Sequence, residues 1–292
     1  MAYSHQCSPL AIVRMQIDRK AFLDSLGGSD AVSKMDAEAR ADAVEHHMLS
    51  DLNKAIQAKH APASNQARVN PTAAEVEALI ETRPYRAGAG FLIVSRTGEN
   101  VKRLQPMPAN PTLVDFFNLR FMDTANHVLQ SANLAMKNGM SEEIILACLL
   151  HDLVQEIMRT DHGWWGAQLF EPYVSEKVTF AIRYHQALRY YADPSVGYEY
   201  PDLYRQLFGI DYVPPPYIEQ TYQMVRKHKW YMEPRMVAVN DLYAFDPDIA
   251  VAIDPFIDII GRHFKQPKEG LGFDGSPVAH MWRTIICPDQ PL

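Results

Sequence analysis

Apolar residues along this chain fall mostly at the spacing of amphipathic helices. Between 29 and 59, Val32, Met35, Ala39, Val44, Met48, Leu52 and Ile56 recur at helical intervals, with Ser29 or Asp30 as a cap, which predicts one helix through 59. A polar stretch over 62–72 reads as a loop, followed by a short helix over 73–81. The compact apolar run 91–95, ending at Thr97, Gly98, Glu99 and Asn100, predicts a strand. From 111 to about 264 the pattern is helix after helix. One covers 124–137 and stops at Asn138 and Gly139. The next is opened by Ser141, with Glu142 and Glu143 in its first turn, and is almost wholly apolar to Leu150, so it belongs in a core. Further helices are predicted at 163–171, 175–192, 217–229, 235–245 and 248–264, with a proline-rich linker at 213–216. The last segment, 265–292, is rich in glycine and proline and reads as an irregular tail. The fold class expected is all-α.

Composition changes this picture little. A hydrophobic fraction of 47% and a charged fraction of 22% are those of a globular protein with a sizeable core. A formal net charge of -7 speaks against nucleic-acid binding through a general basic surface, though not against a local basic pocket for a small anion. No apolar run reaches bilayer length, and the first residues lack the basic lead-in of a secretory signal, so neither membrane insertion nor export is expected. Three cysteines, Cys7, Cys148 and Cys287, form no metal-type spacing and suit a reducing, cytoplasmic location. Cys148 lies in the apolar run and reads as a core residue.

The candidate chemistry begins at His151 and Asp152, an ionisable pair ending the run Ile-Ile-Leu-Ala-Cys-Leu-Leu. Burying such a pair is costly unless something compensates it. A carboxylate has two oxygens and can bridge two ions. The pair has company: His127 one helix upstream, His162 and His185 downstream, and Asp241 further on. Singly, each has a plain structural reading as a hydrogen-bonded core histidine, a helix cap or a solvated aspartate. Distributed one per successive helix, they are better explained as metal ligands. Imidazoles and carboxylates without thiolate suit iron, manganese or a similar divalent ion. Asp123, Asp161, Glu156 and Asn240 are local candidates to hold the ligand histidines in orientation.

This pattern of a His, a His–Asp pair, two further His and a distant Asp resembles the HD-domain superfamily in its two-metal version. His162 with Gly166, Ala167 and Leu169 gives His-x-x-x-Gly-Ala-x-Leu here, one residue shorter than the family element His-x-x-x-Gly-Ala-x-x-Leu that it resembles. The resemblance spans roughly 116–264. It implies an HD helical bundle (111–265), which the apolar pattern flanks with a mostly helical N-terminal extension (1–110) and a tail packing on the bundle (266–292). It also implies that His127, His151, Asp152 and Asp241 hold one metal and Asp152, His162 and His185 the other, with Asp152 bridging.

Two reaction classes share that framework. Most HD proteins are phosphohydrolases acting on nucleotides or phosphate esters. A smaller group, resembling myo-inositol oxygenase and a phosphonate-cleaving dioxygenase, consists of di-iron oxygenases of small hydroxylated substrates. Three of the ligand spacings look like those of the phosphonate-cleaving group. Gln155 stands where many hydrolases, and myo-inositol oxygenase, carry Lys and where the phosphonate-cleaving oxygenase carries His; the missing cation slightly disfavours a hydrolase. The expectation is therefore an O2-dependent di-iron oxygenase, with a phosphohydrolase using Mn, Mg or Ni as the alternative. The aminohydroxyethylphosphonate itself is not expected as substrate, because Phe116 to Arg120 do not match the residues that some of those oxygenases place ahead of the first His. Asp152 and Gln155 are the candidate catalytic residues. Gln155, Arg159 and Arg189 are the candidate substrate contacts, Arg189 because it lies one helical turn beyond His185. The expected partners are a small-molecule substrate and O2, with a homo-oligomer compatible.

Overall fold

The computed structural model describes residues 18–59, 70–78 and 105–287. The strand expected at 91–95 and the side chain of Asp123 lie outside the described residues. Among those described there are fourteen α-helices and no strand, so the fold is all-α as expected.

The chain divides into two compact units, one comprising 1–87 with 200–213 and the other 88–199 with 214–292. The first unit holds α1 (Arg19–Ser25), α2 (Ser29–Val32), α3 (Ala37–Lys59), α4 (Ala73–Ala78) and α10 (Asp202–Phe208). The single helix expected from 29 to 59 is broken after Val32. Asp36 accepts a hydrogen bond from Ala39 N at 2.8 Å and so starts α3 afresh, a local cap overriding the continuous apolar spacing. Phe22, Val32, Val44, Met48 and Leu52 are buried here, as are Leu203 and Tyr204 of α10. Glu45 on α3 accepts from Leu203 N at 3.0 Å and so binds the first turn of α10.

The second unit is built around α7 (Glu142–Leu150), six of whose nine residues are buried. Ser141 caps it as predicted. Against α7 pack α6 (Met122–Lys137), α9 (Glu176–Leu188), α12 (Met232–Leu242) and α13 (Ile257–His263), while α8 (His162–Phe170) lies along α9. A helix surrounded in this way has no polar face to spare, which is why its sequence is apolar all round. Outside this layer, α5 (Leu113–Leu119) packs on α6 and α11 (Pro216–Val225) on α9. The helix predicted over 248–264 is shorter than expected: only a single 3-10 turn at Asp254–Phe256 and α13 are helical, Pro255 occupying the start of the turn. The tail is irregular up to 278 and then forms α14 (Ala279–Ile286), whose Trp282 is fully buried against Phe116, Phe170 and Tyr173.

Candidate metal centre

Five elements of the second unit each deliver part of one cluster. His127 comes from α6, His151 caps the end of α7 with Asp152 following it, His162 opens α8, His185 sits in the last turn of α9, and Asp241 ends α12. All six are buried, with His151, Asp152 and His185 inaccessible to solvent.

The second ring nitrogen of every histidine is held by a backbone carbonyl. His127 Nδ1 donates to Ala244 O at 3.1 Å, His151 Nδ1 to Cys148 O at 2.8 Å, His162 Nδ1 to Arg159 O at 2.9 Å and His185 Nδ1 to Ile182 O at 2.7 Å. A carbonyl can only accept, so each ring carries a proton on Nδ1: when neutral it turns its Nε2 lone pair inward, and when protonated it donates from Nε2 to the carboxylates. Three of these acceptors lie three residues before their histidine. Three of the side chains expected to orient the histidines have partners elsewhere. Glu156 accepts from Thr124 N at 2.7 Å at the start of α6, and Asn240 donates to Met236 O. Asp161 accepts from the Tyr217 hydroxyl. Helix ends and turns expose carbonyls that no sequence motif advertises.

The inward atoms converge on the carboxylates. His127 Nε2 lies 3.3 Å from Asp152 Oδ2 and 3.1 Å from Asp241 Oδ1. His151 Nε2 is 3.6 Å and 3.7 Å from oxygens of the same two aspartates. On the other side, His162 and His185 Nε2 stand 3.1 Å and 3.5 Å from Asp152 Oδ1 and 3.3 Å from each other. Two groups result, His127–His151–Asp152–Asp241 and Asp152–His162–His185, with the ligand atoms of each within 4.8 Å of one another. Asp152 is common to both. Metal–nitrogen and metal–oxygen bonds of roughly 2.0–2.2 Å place neighbouring ligand atoms about 3 Å apart, so these spacings fit two ions sharing a bridging carboxylate. The fit also answers an electrostatic problem: His151 Nε2 and Asp241 Oδ1 are buried and make no hydrogen bond among the described residues.

Burial pushes the Asp152 carboxyl up, but the charges of His151 and His162 and hydrogen bonds with His127 and His162 outweigh it and hold it well below the usual range. Burial likewise raises Asp241, and the Arg189 guanidinium beside it, with His127 and His151, brings it well below. Burial holds the His185 imidazole down at about 4, keeping it neutral. Cys148, by contrast, is a core thiol as expected: burial pushes it up to about 12, far from a thiolate.

Of the candidate substrate contacts, Arg189 reaches the cluster directly, its Nη2 donating to Asp241 Oδ2 at 2.6 Å and leaving Oδ1 to face the histidines. Gln155 is buried in the 3-10 turn Leu153–Glu156, with its backbone N–H donating to Asp152 O. Arg159, half-buried, touches the site through the carbonyl that orients His162. Phe245, which the sequence did not single out, stacks on the His127 ring with centroids 4.3 Å apart. Close approach of α8 to α9 depends on Gly163, where a Cβ would meet Ile182 O at 2.9 Å and His185 Cε1 at 3.2 Å.

Fold and site together define an all-helical protein with a buried cluster of four histidines and two aspartates able to hold two metal ions. No protein-family model matches the chain. The chain is 33% identical over 78 residues to the [1-hydroxy-2-(trimethylamino)ethyl]phosphonate dioxygenase (glycine-betaine-forming) of Leisingera caerulea. That alignment covers 23% of this chain and 40% of the dioxygenase. The resemblance read from the ligand pattern thus recurs as sequence similarity to a phosphonate dioxygenase. Among the described residues no helix is long and apolar enough to cross a membrane.

Proposed function

We propose that this protein is an O2-dependent di-iron oxygenase acting on a small hydroxylated, anionic metabolite of the phosphonate or carboxylate class. The observation that carries the reading is the pair of ligand groups sharing Asp152, formed only by imidazole and carboxylate donors. Similarity to a phosphonate dioxygenase supports the oxygenase branch over the hydrolytic one. Bound iron would supply the site for O2 and for the substrate hydroxyl. The chain's own part is to fix that site. Four carbonyls set the histidine tautomers, Arg189 turns Asp241 so that one oxygen faces inward, and burial excludes bulk water. Gln155, a neutral donor and acceptor three residues beyond Asp152, is assigned to the substrate, and Arg159 to its anionic group.

Metal analysis of anaerobically purified protein, with EPR before and after partial oxidation, tests this. Two irons per chain, a coupled mixed-valence signal perturbed by hydroxyphosphonates or hydroxy acids, and O2 uptake with those compounds are expected. Two Mn, Mg or Ni ions with phosphate release from phosphate esters, and no O2 uptake, would overturn it in favour of a phosphohydrolase.

A further inference from the structure

We infer that Gln130 is a positioning residue for the His127 side of the metal centre, acting through the loop after α12. The inference rests on the two-metal reading. Gln130 lies on α6 three residues after His127, so both side chains leave nearly the same helix face. It is buried, and its amide makes three hydrogen bonds to one loop. Nε2 donates to Asp246 O at 2.7 Å and Ile249 O at 2.9 Å, and Oε1 accepts from Asp246 N at 2.9 Å.

That loop begins just beyond Asp241 and carries both groups that fix His127. Ala244 O receives the Nδ1 proton, and Phe245 covers the ring face at an interplanar angle of 15°. One amide therefore ties the helix bearing His127 to the segment that continues from Asp241. Both are candidate ligands of the same ion, and His127 Nε2 stands 3.1 Å from Asp241 Oδ1. Only an amide suits the place, because two carbonyls need a donor while one N–H needs an acceptor. A glutamate would set a carboxylate against two carbonyl oxygens. A methionine fills similar volume with none of the three bonds.

Gln130→Met and Gln130→Glu, compared with the wild type, test the assignment by metal titration of the metal-free protein with Co²⁺, followed by calorimetry and visible absorption. The wild type is expected to take two ions. Each variant is expected to bind one of them roughly 10- to 100-fold more weakly, the usual cost of losing an orienting partner, while the other ion is unaffected. Nitrogen-15 spectra of the metal-free variants are expected to show His127 losing its single Nδ1–H tautomer, which a general loss of stability would not produce. Variants that bind both ions as the wild type does would overturn the role of Gln130 alone. A wild type that binds no second ion would instead overturn the two-metal reading beneath it. Should neither variant fold, amide exchange in the wild type decides. Protection of Asp246 N–H without metal is expected, and protection appearing only on metal addition would overturn the inference.

Discussion

Asp152 is the residue on which the rest of the cluster turns. It has no exposure to solvent, its oxygens lie between 3.1 and 3.6 Å from four imidazole nitrogens, and it belongs to both ligand groups. In the metal-free protein these groups also set a pH response. The His185 pKa falls from 6.5 to about 4 on folding, so in that window the folded state binds fewer protons than the unfolded chain. Stability is then lost as pH falls through that window. Both aspartates, held below their usual range, extend the loss toward still lower pH in the same direction. Urea midpoints of metal-free protein between pH 7.5 and 4.5 should fall with pH, and His185→Gln should flatten the profile. An identical slope in that variant would remove His185 as its source. The residue identities of the cluster were legible in the sequence. The carbonyls that fix the ring tautomers were not, because every residue carries one and only the path of the chain selects which is used.

Helices act at the site through how closely they approach. His162 and His185 come together because Gly163 has no side chain to separate α8 from α9, and Gly166, one turn on, lets Ile182 seat against the same helix. Gly163→Ala is expected to force the helices apart, costing about 1–3 kcal/mol as overpacking does. It should weaken the Asp152–His162–His185 group while leaving the other. Thermal melting together with metal stoichiometry checks this, and a variant that melts lower yet binds both ions normally would refute it. Most of the helices that build the site were readable from apolar periodicity, with ends displaced by a few residues. The shorter helices α1, α5, α10 and α14 were not, since seven or eight residues hold too few turns to show a period.

At the scale of the molecule, the C-terminal segment is part of the core of the second unit. Trp282 is fully buried, with its ring 4.7 Å from Phe116, and Arg120 binds the last carbonyls of α14, donating to Ile285 O and Ile286 O at 2.9 Å. Trp282→Ala should cost about 3–5 kcal/mol in chemical denaturation, the range for removing a large buried aromatic side chain. A loss under 1 kcal/mol would mean that the tail is a surface appendage. The sequence suggested an irregular tail because glycines and prolines fill its first half. The amphipathic stretch behind them is short, and its apolar side shows only against Phe116, Phe170 and Tyr173.

By itself the sequence determined the helical class, the burial of α7 and the six ligand candidates. Helical periodicity and the cost of a charged pair beside an apolar run are local properties, written in neighbouring residues. Only the tertiary structure decided that Arg189 faces Asp241, that Ala244 accepts from His127, that Gln130 binds the loop at Asp246, and that Gly163 brings two helices close. Those relations join residues between about 20 and 120 positions apart, and a hydrogen bond or a van der Waals contact between them exists only once the helices have packed.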